Sequence, residues 1–247
     1  MVFLASFLVL FLSAIARTSL AQTRTVGVVP GQWFKYGDVS FSWSSNDTGA
    51  AFPDSMREIN DTLWMQMDVV SVVQTNVTLG MIAHYRNGSE EVGSGWVDVD
   101  TGAGDNATMM LISSNLGIGH SIYTSGLYST WRINETVPRM FAFGLRDTNH
   151  LNMSSGYSYM GSSINYSSNV YWDKATGVLL EESVAFANQT GVYHSEWSIL
   201  MRITEANIWV IPEFPSVLMF PLFMATTLLT VAFFKRRHRK QANLSFS

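Results

Sequence analysis

The chain has 247 residues, of which 47% are hydrophobic and 14% are charged, and it contains no cysteine. The lack of cysteine excludes disulfides, thiolate metal sites, iron–sulfur clusters and cysteine nucleophiles. Residues 22–215 hold all 19 acidic side chains but only nine of the 15 lysines and arginines. This acidic segment is not expected to bind nucleic acid, because that requires a basic surface.

Residues 1–21 predict a signal peptide. The first 16 are almost unbroken apolar sequence, and the small-residue stretch Ser19-Leu20-Ala21 is typical of a cleavage site. No lysine or arginine precedes the apolar run, so an uncleaved anchor is the alternative. In both cases the chain that follows is exported, and residues 22–210 are long enough to form one extracellular domain with its own core.

Alternating apolar and polar residues dominate from Val26 to Trp209 and predict a mainly β domain. The expected strands are Gln32–Trp43, Leu63–Val73, Asn76–Arg86, Glu91–Asp100, Leu127–Glu135, Arg139–Arg146, Ser163–Trp172, Val178–Phe186 and Val192–Glu205. About nine or ten antiparallel strands fit an open or half barrel, or a sandwich.

Turn residues indicate which strands pair. Asn87-Gly88 is a favoured two-residue hairpin turn, and residues 173–177 form a short loop that ends on a glycine. Two short helices are expected, at Pro53–Asn60 and Ala107–Asn115.

The C-terminal end predicts a membrane anchor. Residues 217–234 contain no charged side chain and are long enough as a helix to cross a bilayer. Residues 235–247 begin with a basic cluster, which stays on the cytoplasmic side and leaves the N-terminal domain outside. The expected location is therefore the cell membrane, with a single span.

Just before this span lies the segment Ile211–Ser216, which includes Pro212, Glu213, Phe214 and Pro215. Together with the apolar helix and basic cluster, it resembles the PEF-CTERM sorting signals of archaeal surface proteins. The resemblance implies processing by an archaeosortase, for which Glu213 and Phe214 are recognition residues. The alternative is a stiff proline spacer that lifts the domain off the membrane.

Two segments of the domain, Gly31–Tyr36 and Trp172–Leu179, resemble motifs of uncharacterised β-rich ectodomains of archaeal surface proteins. The resemblance implies a fold and a location but no activity.

Nine glycosylation motifs outside the membrane indicate a glycan-coated surface. They begin at Asn46, Asn60, Asn76, Asn87, Asn106, Asn134, Asn152, Asn165 and Asn188.

Signals for catalysis or cofactors are weak. The outer histidines are far apart in the sequence and lack the spacing of a zinc protease, and no Gly-x-Ser-x-Gly motif occurs. Asp98, Asp100 and Asp105 are a weak calcium candidate, although an acidic hairpin is the simpler interpretation. We expect no cofactor, no metal and no enzymatic activity.

Three functions remain open at this level. The first is a non-catalytic display, structural or adhesive role at the surface, in contact with a surface-layer partner. The second is a membrane-tethered module that holds an apolar or lipid-like ligand between aromatic and methionine side chains of a β-barrel cavity. The third is an envelope hydrolase, which requires paired carboxylates or a histidine network in one cleft.

Overall fold

The computed structural model describes residues 23–105, 107–159 and 161–209. The predicted signal peptide, sorting segment 211–216, membrane span 217–234 and basic tail 235–247 lie outside the described residues and remain predictions. Within the described part of the chain, no helix is long and apolar enough to cross a membrane.

Nine strands and one short helical segment make up the described domain. The strands are β1 (Trp33–Ser45), β2 (Thr62–Val73), β3 (Asn76–Tyr85), β4 (Glu90–Asp98), β5 (Glu135–Phe141), β6 (Gly144–Tyr159), β7 (Ser162–Asp173), β8 (Leu179–Thr190) and β9 (Tyr193–Ala206). A 3₁₀ turn, Asp54–Met56, leads into the helix α1 (Arg57–Asp61).

All nine strands belong to one open antiparallel sheet in the order β4-β3-β2-β1-β9-β8-β7-β6-β5. Two meanders, β1 to β4 and β5 to β9, meet where the first strand pairs with the last. The β1–β2 pairing runs from Trp33 to Tyr36, whereas the β1–β9 pairing continues to Ser45. The mainly β, antiparallel prediction is therefore confirmed, with the strands in one sheet and not in a sandwich.

Side chains alternate between the two faces of the sheet. The core face carries Phe34, Met67, Leu79 and Trp172, which are fully buried. The polar face, opposite it, carries mainly serine, asparagine and charged side chains on β6 to β9. Register shifts on both sides of Tyr36 form a bulge in β1, so the apolar positions that face the core change from even to odd numbers along this strand.

The long connection 99–134 joins the two edge strands and crosses the core face at one end of the sheet, which we call the proximal end. Its backbone is tied to the β7–β8 turn, because Ile112 N–H donates to the Gly177 carbonyl over 2.9 Å. The Trp172 indole N–H donates to the Met109 carbonyl over 2.8 Å. The apolar side chains that the connection buries here include Leu111, Ile112, Leu116, Ile122, Tyr123 and Ile133.

Most of the predicted elements agree with the structure. Strands β1 to β4 and β7 to β9 match their predictions to within a few residues, as do the hairpin at Asn87-Gly88 and the turn 173–177. The helical segment predicted at Pro53–Asn60 is also confirmed, as the 3₁₀ turn followed by α1.

Three predicted elements are wrong. The segment Ala107–Asn115 is irregular, because most of its backbone hydrogen bonds run to the β7–β8 turn and to Thr25, with only a single turn closed from Met110 to Ala107. Leu127–Glu135 becomes a strand only at its last residue and otherwise belongs to the connection. Arg139–Arg146 is not one strand, since the chain reverses at residues 142–143 and continues as the long strand β6.

Candidate apolar binding surface

The distal end of the core face, beyond the connection, carries a continuous group of aromatic rings. Trp43 pairs with Trp197, and Trp197 pairs with Phe186 across three adjacent strands. The rings of Phe186 and Trp197 stack with centroids 5.4 Å apart, and Phe41 stacks on Trp197 at 6.4 Å. These side chains are half-buried, so the group is packed internally but not closed off from solvent.

Aliphatic and sulfur-containing side chains extend this group. Val184 on β8 and Ile199 on β9 form the next pair towards the proximal end, followed by Met201 on β9. Met153 lies on β6. All four are half-buried. Together with Phe41, Trp43, Phe186 and Trp197 they form what we call the apolar surface. Methionine adapts its shape easily and suits variable apolar ligands.

Phe52 comes from the loop before α1 and packs on one side of the apolar surface. Its ring centroid lies 5.2 Å from that of Phe41 and 6.1 Å from that of Trp43, both with edge contacts. The β1–β2 loop and the connection thus limit the apolar surface from two sides.

Glu182 lies at the inner margin of the apolar surface. Its register partners are Val170 on β7 and Met201 on β9. Burial raises the pKa of the Glu182 carboxyl, because an apolar environment disfavours the charged form. The Glu182 side chain is half-buried, and among the described residues its carboxylate makes no hydrogen bond or ion pair.

The adjacent residue Glu181 faces the polar side and has a contrasting environment. Its carboxylate is bound by Arg139 at 3.0 Å and by Arg202 at 2.7 Å. The side chain of Arg139 also lies over the Tyr171 ring, 3.8 Å from its centroid. Two neighbouring glutamates are therefore on opposite faces, one fully paired and the other unpaired.

A groove of about 800 Å³ runs along the distal part of the same strands. By register, most of its lining residues point to the polar face, and these are small side chains such as Ser42, Ser167 and Ala185, together with Asn165 and Glu196. The aromatic residues Trp43, Phe186 and Trp197 of the apolar surface also line the groove. The groove therefore offers both hydrogen bonds and apolar contact.

The three aspartates of the calcium hypothesis all stabilise the turn after β4. Asp98 accepts the Asp100 N–H at 2.9 Å, Asp105 accepts the Trp96 N–H at 2.7 Å, and Asp100 accepts the Thr124 hydroxyl at 3.0 Å. Among the described residues, no group of three or more acidic or histidine side chains is arranged to hold a metal ion. The geometry gives the calcium hypothesis no support.

The histidines are dispersed over the sheet. His84, His150 and His194 contact three different glutamates, Glu90, Glu135 and Glu196 respectively. His120 bonds to the backbone of its own turn, by accepting the Gly117 N–H. The described residues thus show no convergence of histidines in one cleft.

Eight of the nine predicted glycosylation asparagines are described; Asn106 is not. Seven of them are exposed, namely Asn46, Asn60, Asn76, Asn87, Asn134, Asn152 and Asn165. Asn188 is the exception, because it is half-buried and its side-chain oxygen is buried without a hydrogen bond. By strand alternation, Asn188 shares the core face with Phe186, whereas Asn165 on the adjacent strand lies on the polar face.

The apolar environment of Glu182 is the feature of this site that sequence reasoning missed. The Glu181-Glu182 pair reads as two solvated carboxylates on opposite sides of a strand. The available signal is the alternation Leu180, Glu182, Val184, Phe186, in which a carboxylate occupies one position of an otherwise apolar series.

No protein-family profile matches the chain, and a search of curated proteins finds no match either.

Proposed function

We propose that the protein is a membrane-anchored surface protein whose β domain binds an apolar, lipid-like ligand on the apolar surface. The observation that supports this best is the continuous set of half-buried aromatic and methionine side chains at the distal end of the core face. The same face is covered by the connection at its proximal end, so only the distal part is available.

The energetics favour a ligand with a hydrocarbon chain. Removing apolar surface from water contributes roughly 25 cal/mol per Å², and contiguous exposed apolar patches on soluble domains commonly mark binding sites. A flexible alkyl chain can follow the row of side chains between β8 and β9, whereas a rigid polar ligand gains little from them.

The sequence signals at the chain ends support the anchoring part of the proposal. A signal peptide at 1–21 would export residues 22–210, and a membrane span at 217–234 would tether them to the membrane, where lipid-like ligands are concentrated. Processing by an archaeosortase at Pro212–Pro215 is compatible with this role.

A display or adhesive role is the second candidate. It is favoured by the seven exposed glycosylation asparagines, which would cover much of the domain with glycan. Under this alternative, the apolar surface is a packing feature and no small ligand is required.

Quenching of tryptophan fluorescence tests the binding proposal. The probe is a long-chain alcohol brominated at mid-chain, titrated against the full chain held in an amphipol. Trp43 and Trp197 belong to the apolar surface, so bound bromine should quench their emission. The variant Trp43→Phe/Trp197→Phe keeps two aromatic rings and should lose most of the quenchable signal.

The unbrominated alcohol, used as a competitor, provides the matched control and should reverse the quenching in the wild type. Unchanged quenching in the double variant would place the probe elsewhere, and an absence of saturable quenching in the wild type would contradict ligand binding. In that second case the display role becomes the better candidate.

Glycan occupancy gives an independent test of which face is available. Asn165 and Asn188 lie next to each other on β7 and β8 but point to opposite faces. In protein purified from its own membranes, we expect glycan on Asn165 and none on Asn188, because a bulky glycan on the core face would exclude the ligand. Mass spectrometry of the two peptides measures the glycan occupancy of each asparagine. A glycan on Asn188 would argue against a ligand-filled core face.

A further inference from the structure

Glu182 is the one carboxylate that alternation places in the apolar series of β8, at its inner margin. Its register neighbours Val170 and Met201 are apolar. Tyr36 is one of the polar groups near it, since the charge of Glu182 contributes, after burial, to raising the Tyr36 pKa. The Tyr36 hydroxyl donates to the Leu179 carbonyl at 2.9 Å, so it does not neutralise the carboxylate.

Cationic side chains are available close by but on the other face. Arg139 and Arg202 both bind Glu181, which by alternation points away from Glu182. A charge in an apolar environment without a counter-ion costs free energy. A ligand that brings the missing positive charge would recover that cost on binding.

We propose that Glu182 binds the head group of the ligand, and that the ligand is an amphiphile carrying a cationic amine at one end of a hydrocarbon chain. This inference rests on the proposed function. From Glu182, the side chains of Val184 and Phe186 extend along the strand for about 13 Å at about 3.3 Å per residue. A chain with its amine at Glu182 therefore lies along the apolar surface towards Trp197.

An amine suits this position better than other head groups. A carboxylate can only accept hydrogen bonds, so an ammonium group forms a charge-assisted bond of about twice the strength of a neutral one. An alcohol forms only one weaker bond, and a fatty acid brings a second negative charge that is repelled. The order of affinity should therefore be amine, then alcohol, then acid.

The test uses three probes with the same chain length, dodecylamine, dodecanol and dodecanoate, and the full chain held in an amphipol. Each probe competes against the brominated alcohol in the quenching assay. In the wild type, dodecylamine should bind about tenfold more tightly than dodecanol. The variant Glu182→Gln should lower dodecylamine affinity about tenfold and leave dodecanol affinity unchanged.

Glu196→Gln is the matched control, because Glu196 is an exposed carboxylate on the polar face of β9. It should leave the affinities of all three probes as in the wild type, and thermal unfolding of each variant checks that the domain is folded. Equal binding of the three probes to the wild type would overturn the amine inference and leave the proposed function intact. Binding of none of them would overturn both.

Discussion

Replacing Phe186 by aspartate should lower the affinity for an alkyl probe by at least about 100-fold, which corresponds to about 2.7 kcal/mol. Phe186 stacks on Trp197 at 5.4 Å and lies in the middle of the apolar surface. The new carboxylate stays hydrated in the free protein because the position is half-exposed, but a bound hydrocarbon chain would remove that water. The substitution therefore lowers the stability of the complex more than the stability of the folded domain.

Ala185→Asp is the matched control for this variant. The two residues are adjacent on β8, yet Ala185 is exposed and pairs with Ser198 and Ser167 on the polar face. The same charge at that position should leave probe affinity unchanged. Titration by tryptophan quenching measures both variants, and equal losses of affinity would mean that binding does not depend on the face of the sheet.

Local patterns were sufficient to predict the class of fold. Alternation over Val178–Phe186 and Val192–Glu205 located β8 and β9, and the Asn-Gly dipeptide located the β3–β4 hairpin. These signals depend on residues only a few positions apart, so they can be recognised without knowledge of the tertiary structure. The pairing of β1 with β9 is a contact between the two ends of the domain, and no local pattern specifies it.

Two of the three wrong predictions have a common physical cause. Ala107–Asn115 and Leu127–Glu135 are rich in apolar residues, so they read as a helix and a strand. In the structure, the sheet is covered by the buried side chains of Leu111, Ile112 and Ile133. The backbone hydrogen bonds of these residues go to turns elsewhere in the sequence. Burial by tertiary contacts produces an apolar composition without a regular period.

The apolar surface was predictable only in composition. One of the three open functions placed aromatic and methionine side chains around a cavity; the structure places several of them on an open face of the sheet. Phe41, Trp43, Phe186 and Trp197 come together only because β1 pairs with β9. The same topology separates Glu182 from the arginines that bind its neighbour Glu181.

Replacing Gly177 by alanine should destabilise the domain by about 4 kcal/mol. Gly177 has a φ of 76°, and an added Cβ would lie 2.0 Å from the Ile112 carbonyl oxygen. The left-handed backbone alone costs about 1–2 kcal/mol for a residue with a side chain. The contact with Ile112 adds to this, because the connection must move away from the β7–β8 turn that it covers.

A substitution at Gly191 separates the cost of the left-handed backbone from the cost of the steric contact. It also has a positive φ, of 60°, but no atom lies within 4 Å of a Cβ added there, so Gly191→Ala should cost only about 1–2 kcal/mol. Thermal unfolding followed by tryptophan fluorescence should therefore show a drop in melting temperature for Gly177→Ala at least twice that for Gly191→Ala. Equal drops would mean that the connection is not held against this turn, and the division of the core face into a covered end and an available end would lose its basis.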